Sequence, residues 1–167
     1  MKAYLAGAIE YAPDHGEAWR SAMSDFIIRR LGHTVYNPLW EEPAKISAAE
    51  SRRFRGLKTT DLQGFKRIVR KLIEGDLHAL QTEIDYIVCL WDPYAMKGGG
   101  TYGELTMAYH WNIPVFMVTS MQVSEISGWI LGCTTELFPD FEQLKEYLLE
   151  RFDSKVVIDS PEKKGQT

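Results

Sequence analysis

The sequence predicts a three-layer α/β domain, flavodoxin-like or Rossmann-like, with a mostly parallel sheet of about five strands. Two observations predict this fold class. Short apolar runs alternate with amphipathic stretches of helical period, which is the pattern of strands joined by helical crossovers. The run at residues 115–118 is apolar at every position, as expected for a strand covered on both faces of its sheet.

The first two predicted strands are separated by one helix. Residues 2–8 form the first strand, where Gly7 lets the backbone turn or approach a ligand closely. The helix that follows ends before Gly32, and its apolar stripe consists of Trp19, Met23, Phe26, Ile27 and Leu31. Residues 33–36 form the second strand, which Asn37-Pro38 closes. With this spacing the two strands should be parallel, with a right-handed crossover.

Residues 39–60 are the least regular part of the sequence, with a helix expected at 46–54. Thr59, Thr60 and Asp61 are candidate N-caps of the next helix. The apolar face of that helix consists of Leu62, Phe65, Val69, Leu72 and Ile73. Residues 74–80 either continue it past a kink or start a new helix. A basic face is interpreted as a solvated surface, with a phosphate or polynucleotide site as the minority alternative: Lys66, Arg67, Arg70 and Lys71.

A glycine-rich turn follows the third predicted strand. Residues 86–91 form that strand, residues 92–97 form a loop, and four glycines lie within residues 98–103 before a helical pattern resumes. A helix that begins at such a turn offers unpaired N–H groups and a positive dipole end to an anionic or hydroxyl-rich ligand. Glu104 is predicted in the first turn of this helix. It either complements the helix dipole or is a reactive carboxylate at the mouth of the sheet.

The last part of the sequence completes the sheet. Residues 112–114 end the helix, residues 115–118 form the fourth strand, and residues 124–129 form a short helix. Residues 133–138 are predicted to form a short edge strand. A last helix begins at Pro139-Asp140 and turns four side chains inward: Phe141, Leu144, Leu148 and Phe152. A single domain is therefore placed at residues 1–153, with 154–167 as a disordered or interaction tail.

Composition excludes several classes of protein. A net charge of −4 argues against a general nucleic-acid binder. Cys89 and Cys133 lie in apolar surroundings, which is typical of buried free thiols in a reducing compartment. The four histidines have no partner at a metal-ligand spacing, so no metal site is expected. The glycine-broken N-terminus does not fit a signal peptide, and no apolar run approaches the roughly 20 residues of a membrane span. A soluble cytoplasmic protein without a membrane or nucleic-acid partner is expected.

The candidate site lies where the strands end, because ligands of open α/β sheets bind beyond the carboxyl ends of the strands. Those ends are residues 7–10, 37–40, 91–104 and 119–120. The turn at residues 7–10 is not G-x-G-x-x-G, and no Walker lysine motif is present. The sequence therefore does not indicate a dinucleotide site or a P-loop.

Several motifs in order resemble the nucleoside 2-deoxyribosyltransferase family, which includes the 2'-deoxynucleoside 5'-monophosphate N-glycosidases. The motifs are YLAGAI at residues 4–9, VYNP at 35–38, DLHAL at 76–80, DYIV at 85–88, and GTYGELTMA at 100–108 leading to IPV at 113–115. They span most of residues 1–120. The segment 39–60 and the loop 92–97 are less typical of the family.

The resemblance implies a covalent mechanism. Glu104 would be the nucleophile that attacks the anomeric carbon of a deoxyribosyl group, which a second base then takes up. Asp76 would assist protonation of the leaving base, and Tyr4 would orient the nucleophile. The implied substrate-binding residues lie at the strand ends: Gly7, Ile9, Asn37, Asp92, Gly98, Gly100 and Thr101. The resemblance implies a homodimer or higher homo-oligomer and no cofactor.

Alternative functions stay open beside a nucleoside transferase. A nucleoside 5'-monophosphate N-glycosidase would use water as the acceptor, and its phosphate site would draw on Arg20, Lys97, Thr101 or Ser120. A non-catalytic nucleotide-sensing domain would keep the fold without turnover. From the residues alone, Asp76 could also be only a helix cap, and Tyr4 only a core aromatic.

Overall fold

The chain folds around a five-stranded sheet in which every pair of neighbouring strands is parallel. The computed structural model describes residues 1–152. The strands are β1 (Lys2–Gly7), β2 (Thr34–Tyr36), β3 (Tyr86–Leu90), β4 (Val115–Val118) and β5 (Glu136–Phe138). Their order across the sheet is β2-β1-β3-β4-β5, the flavodoxin-like arrangement. The predicted three-layer α/β class is confirmed, and the sheet is wholly rather than mostly parallel.

Within residues 1–152, seven α-helices connect and cover these strands. They are α1 (Glu17–Phe26), α2 (Pro38–Lys45), α3 (Ala48–Thr60), α4 (Leu62–Thr82), α5 (Gly99–His110), α6 (Gly128–Gly132) and α7 (Phe141–Phe152). A π-helical stretch, Ile27–Leu31, extends α1, and Gly32 ends it at φ +67°. Two 3₁₀ turns, Ala95–Lys97 and Val123–Glu125, precede α5 and α6.

The two faces of the sheet carry separate cores, which gives the three layers. On one face β1 turns Ala3 and Leu5 toward α1 and α7, whose buried side chains there include Met23 and Leu144. The other face packs against α4, α5 and α6 and includes Tyr4, Ala6, Leu80, Leu105 and Ile130. Side chains alternate along a strand and both faces of the sheet are covered, so the last five of the six residues of β1 are buried.

The order in which strands are added to the sheet reverses between β1 and β3. From β1 the chain crosses to β2 on one side and then returns to β3 on the other, with Tyr4 opposite Ile87 and Gly7 opposite Leu90. Such a reversal opens a crevice at the carboxyl ends of the two strands. The segments that follow β1 and β3 therefore meet at this crevice.

The segment 39–60, predicted as the least regular part with one helix at 46–54, is largely helical and contains most of α2 and all of α3. Asn37 caps α2 through its side chain, and Ser47 and Glu50 form a capping box at the start of α3. With the first half of α4, these helices enclose a small separate core of Ile46, Phe54 and Ile68. We call α2, α3 and the first half of α4 the helical arm.

Three other sequence predictions are settled by the helices. Asp61 is the N-cap of α4, accepting a hydrogen bond from the Gly64 N–H. The helix runs without a break through residues 74–80, which excludes a new helix there. The short helix predicted at 124–129 begins later, at Gly128, behind a 3₁₀ turn. Within residues 1–152 no helix combines the length and apolarity needed to cross a bilayer. The predicted tail at 154–167 lies outside the described residues.

Candidate active site

A cavity of about 830 Å³ opens at the carboxyl ends of β1 and β3. Its walls come from the β1–α1 loop, the glycine-rich start of α5, the helical arm and the second half of α4. Six side chains of α4 line it: Phe65, Val69, Leu72, Ile73, Asp76 and Leu77. From Phe65 to Asp76 the helix rises by about 16 Å, so the cavity runs along about three turns of α4.

Glu104 lies in the second turn of α5, and the prediction of a first-turn position is wrong. The helix begins at Gly99, with Gly98 as an N-cap that contributes no side-chain hydrogen bond, and its first turn contains no acidic residue. A carboxylate five residues after the start of a helix gains little stabilisation from the helix dipole, because that effect is confined to the first turn. The helix-dipole explanation of Glu104 therefore fails.

The Glu104 carboxylate is held by a tyrosine from the centre of the sheet. Tyr4 Oη donates a hydrogen bond to Glu104 Oε1 at 2.8 Å, and the Tyr4 side chain is fully buried in β1. Burial and the neighbouring Glu104 charge hold the pKa of Tyr4 well above its ordinary value, so the phenol remains a donor. One Glu104 oxygen is thereby fixed on the sheet side, while Glu104 itself lines the cavity.

A second tyrosine holds a second carboxylate beside the first. The Tyr36 ring stacks on the Tyr4 ring, with centroids 5.1 Å apart and planes 14° apart. Tyr36 Oη donates to Asp76 Oδ1 at 3.0 Å, and Lys45 Nζ contacts the same oxygen at 2.6 Å. Neighbouring strands thus present two parallel phenols, each of which donates to a different carboxylate.

The pKa of Glu104 is raised to about 7. Desolvation by the surrounding protein is the main cause, and the negative charge of Asp76 adds to it. The Tyr4 hydrogen bond and the positive charges of Arg20 and Lys45 act in the opposite direction. A carboxylate that titrates near neutral pH is more basic than an ordinary glutamate, and raised values of this kind are frequent at functional sites.

Arg20 is fully buried and does not offer its guanidinium to a ligand. It donates hydrogen bonds to the backbone carbonyls of the β1–α1 loop and its flanks: Leu5, Gly7, Ala8, His15 and Gly16. The phosphate site suggested for Arg20 is therefore wrong. The side chain instead fixes the loop that forms one wall of the cavity.

Seven of the ten predicted site residues take part in the cavity directly: Gly7, Ile9, Asp76, Gly98, Gly100, Thr101 and Glu104. Gly7 has φ +155°, and a Cβ there would lie 3.0 Å from the Trp19 ring and 3.1 Å from the Leu90 carbonyl oxygen. A side chain at this position would therefore displace the loop. Tyr4 lies behind Glu104 and reaches the site through its hydroxyl.

The structure does not bring Asn37 and Asp92 into the cavity lining. Asn37 is 1% exposed, and its side chain accepts a hydrogen bond from the Leu39 N–H at the start of α2. Asp92 Oδ1 accepts hydrogen bonds from the N–H groups of Tyr94 and Ala95 and so caps the turn after β3. The side-chain oxygens of both residues therefore accept hydrogen bonds from backbone N–H groups. Lys97 and Ser120, two of the suggested phosphate ligands, also lie outside the lining.

Sequence reasoning missed the charged residues that the helical arm contributes. Lys45, Arg55 and Lys58 line the cavity, and each is close to a carboxylate that also lines it. The apolar face predicted for α4 borders the cavity at Phe65, Val69 and Leu72. The stripe itself was a usable signal, because Asp76 continues it at the i+4 spacing from Leu72. Residues 1–152 contain no group of three His, Cys, Asp or Glu side chains suited to a metal ion.

Comparison with known proteins supports the fold. Among solved structures, the chain is similar to a 2-deoxyribosyltransferase from the psychrotolerant bacterium Bacillus psychrosaccharolyticus, described as a biocatalyst for the synthesis of antiviral and antitumoral nucleosides. The TM-score is 0.58 at 18% sequence identity, over 91% of this chain and 96% of that one. No protein-family model matches the chain, and no curated protein sequence matches it.

Proposed function

We propose that the protein is an N-glycosyl-transferring enzyme of the nucleoside 2-deoxyribosyltransferase type. The observation that carries the proposal is the Tyr4–Glu104 hydrogen bond beside the paired Asp76. It supports a nucleophile with one oxygen fixed and the other available, together with a second carboxylate in the same cavity. The likeness to a solved 2-deoxyribosyltransferase adds support from the fold.

In the first half-reaction Glu104 acts as the nucleophile. A Glu104 carboxylate oxygen bonds to C1' of the deoxyribosyl group, and the C1'–N bond breaks with its electron pair passing to the base. The transition state resembles an oxocarbenium ion, which a carboxylate stabilises as both counter-charge and nucleophile. A solvent proton passes by way of Asp76 to the nitrogen of the departing base, so the base leaves in its neutral N–H form, and the proton removed from the second base returns to solvent by the same route.

In the second half-reaction an incoming base displaces Glu104. Asp76 takes the proton from the base nitrogen, that nitrogen bonds to C1', and the ester bond to Glu104 breaks, which restores the carboxylate. Tyr4 donates to Glu104 as the negative charge returns. Water in place of the second base would give hydrolysis by the same intermediate.

The charges of the cavity favour an unphosphorylated nucleoside. Among residues 1–152 the lining contains four carboxylates, Glu10, Glu42, Asp76 and Glu104, and three cations, Lys45, Arg55 and Lys58. Lys45 and Lys58 lie 2.6 and 2.7 Å from carboxylates, and Arg55 lies 3.9 Å from one. A phosphate would therefore have to displace an acidic partner before it gained a cation.

A 5'-monophosphate N-glycosidase remains the second candidate because of one feature of α5. The helix N-terminus at Gly98 faces the cavity without a side-chain cap, so its N–H groups can bind a phosphate or a sugar hydroxyl. Resemblance to the family also leads us to propose a homodimer or higher oligomer, which light scattering of the purified protein would test.

The decisive experiment is a base-exchange assay. Purified protein is incubated with deoxyadenosine, deoxycytidine and their 5'-monophosphates, with and without free adenine, and bases and nucleosides are separated by chromatography. New nucleosides that form only with added adenine are expected, and Glu104→Gln should abolish them. Free base without exchange, faster from monophosphates, would favour the glycosidase instead. Transfer that persists in Glu104→Gln would refute the assigned nucleophile.

A further inference from the structure

Lys45 is the last residue of α2 and lies in the segment 39–60, outside the motifs that resemble the family. Its side chain is 11% exposed and lines the cavity. Lys45 Nζ lies 2.6 Å from Asp76 Oδ1. A lysine so largely buried at a cavity wall is uncommon unless it is paired, and here the partner is the carboxylate assigned to the leaving base.

The local structure is built to receive the Lys45 side chain. Its ammonium group lies 5.0 Å from the centroid of the Tyr36 ring, within range of a cation–π interaction. Its Cδ and Cε cross α4 at Gly75, where an added Cβ would lie 2.8 Å from both atoms. Glycine inside a helix costs about 1 kcal/mol relative to alanine, so Gly75 trades helix stability for the space that Lys45 occupies.

The pairing determines which oxygen of Asp76 faces a ligand. Tyr36 Oη and Lys45 Nζ both donate to Oδ1. Among residues 1–152, no group donates a hydrogen bond to Oδ2. Because Asp76 lines the cavity, Oδ2 is the oxygen left to meet a bound molecule.

The pairing also bears on Glu104, which is surrounded by charged and titratable groups from six elements. They are Tyr4 on β1, Tyr36 on β2, Cys89 on β3, Arg20 on α1, Lys45 on α2 and Asp76 on α4. The charge of Asp76 raises the pKa of Glu104, whereas those of Arg20 and Lys45 lower it. Arg20 is enclosed by backbone carbonyls, so Lys45 is the one of these two cations that faces the cavity.

We propose that Lys45 is a positioning residue of the glycosyl-transfer site. It holds Asp76 by Oδ1 so that Oδ2 meets the base, and it offsets the charge of Asp76 so that Glu104 can act as a carboxylate beside it. The inference rests on the proposed function for its kinetic consequences. The effect of the Lys45 charge on the pKa of Glu104 concerns the protein without substrate, so it can be tested without turnover.

The test compares Lys45→Met, which removes the charge, with Lys45→Arg, which keeps it. Lys71→Met is the matched control, because Lys71 is a half-exposed lysine that pairs with Glu50 on the outside of the arm. Base exchange is measured as kcat/KM against pH. In parallel, the carboxyl carbon of Glu104 is titrated by NMR in protein labelled at glutamate, with Glu104→Gln identifying its signal.

Removal of the Lys45 charge should raise the pKa of Glu104, and a nucleophile must be ionised to act. The acid limb of kcat/KM and the NMR midpoint should both move up by about 0.5–1 pH unit in Lys45→Met. The loss of kcat/KM should be about three- to tenfold at pH 6 and smaller at pH 8.5. Lys45→Arg should keep the wild-type midpoint. In an Asp76→Asn background, Lys45→Met should cost less activity than in wild-type protein, because only the direct effect of the Lys45 charge on Glu104 is left to lose.

An unshifted midpoint in Lys45→Met, or equal losses in Lys45→Met and Lys45→Arg, would overturn the inference and leave Lys45 a structural residue. The two proposals fail separately. If wild-type protein exchanges no base, the proposed function fails, and the NMR midpoint still decides whether Lys45 controls Glu104. If exchange occurs and Lys45→Met shifts neither the limb nor the midpoint, the inference alone fails.

Discussion

The cavity has two walls of different construction. The sheet wall consists of β1, β3 and α5 and carries Tyr4 and Glu104, with Arg20 behind it. Tyr4 and Arg20 are both fully buried. The arm wall consists of the helical arm and the second half of α4, and carries Lys45 and Asp76, which are 11% and 18% exposed. Farther out it is held by half-exposed ion pairs such as Lys58–Glu10.

The difference between the walls teaches how one site combines fixed geometry with adjustable charge. A buried donor or acceptor that loses its partner costs its full desolvation penalty, whereas an exposed ion pair contributes little. The nucleophile is therefore placed by groups that cannot be changed without a large loss of stability. The charge around it is set by the less deeply buried groups of the arm wall, whose loss should cost the fold less.

The largest effect is expected on the sheet wall, from Arg20→Met. It would leave five backbone carbonyls without their donor, so the free energy of unfolding should fall by at least about 3 kcal/mol. Chemical denaturation measures the change. Arg29→Met is the control, since Arg29 is exposed and its partner Asp25 is exposed too, and its effect should stay within about 0.5 kcal/mol. Equal effects of the two substitutions would remove the contrast between the walls.

An intermediate effect should separate the two stacked tyrosines. Tyr4→Phe deletes a hydrogen bond to a charged group, worth about 1.5–3 kcal/mol, so kcat/KM should fall roughly 10- to 100-fold. Because that bond lowers the pKa of Glu104, its loss should also move the acid limb to higher pH. Tyr36→Phe should cost about fivefold or less, since Lys45 still holds Asp76. Equal losses in the two variants would contradict the different roles given to the tyrosines, of which Tyr4 holds the nucleophile and Tyr36 holds Asp76.

The smallest expected effect on stability comes from Gly75→Ala in the arm wall. The new methyl group should displace the flexible Lys45 stem, while the helix gains about 0.5–1 kcal/mol. Stability should therefore rise as base exchange falls toward the level of Lys45→Met. The control is Gly56→Ala in α3, where an added Cβ meets no atom within 4 Å. That variant should gain stability and keep its activity, and a similar loss in both variants would argue against the role of Gly75.

The sheet wall could be predicted from sequence because its signals are local. The apolar runs of β1 and β3 and the glycines before α5 mark strand ends, and parallel strands bring their ends to one edge. Tyr4, Asp76 and Glu104, which the family resemblance singled out, do meet at that edge. Their catalytic roles stay predictions until exchange is measured.

Apart from Asp76, the arm wall could not be predicted, because no strand end or glycine-rich turn marks the residues that meet there. Lys45 and Asp76 are separated by 31 positions, and no periodicity relates them. Asn37 is expected to bind substrate, but its side chain caps α2. A polar residue that follows a strand can do either, and the sequence does not distinguish the two roles. Arg20 resembled a phosphate ligand because the pattern of a sequence does not show which carbonyls a loop turns inward.

The carbonyl cluster around Arg20 has a consequence for affinity. Ordering the backbone of a mobile residue costs about 1–2 kcal/mol, and a loop that closes on a ligand takes this cost out of the binding free energy. Here the β1–α1 loop is already tied down by a single guanidinium, and it includes the left-handed residues His15 and Gly16. A substrate would meet that wall in its bound shape, so its binding entropy should reflect the helical arm and the ligand itself.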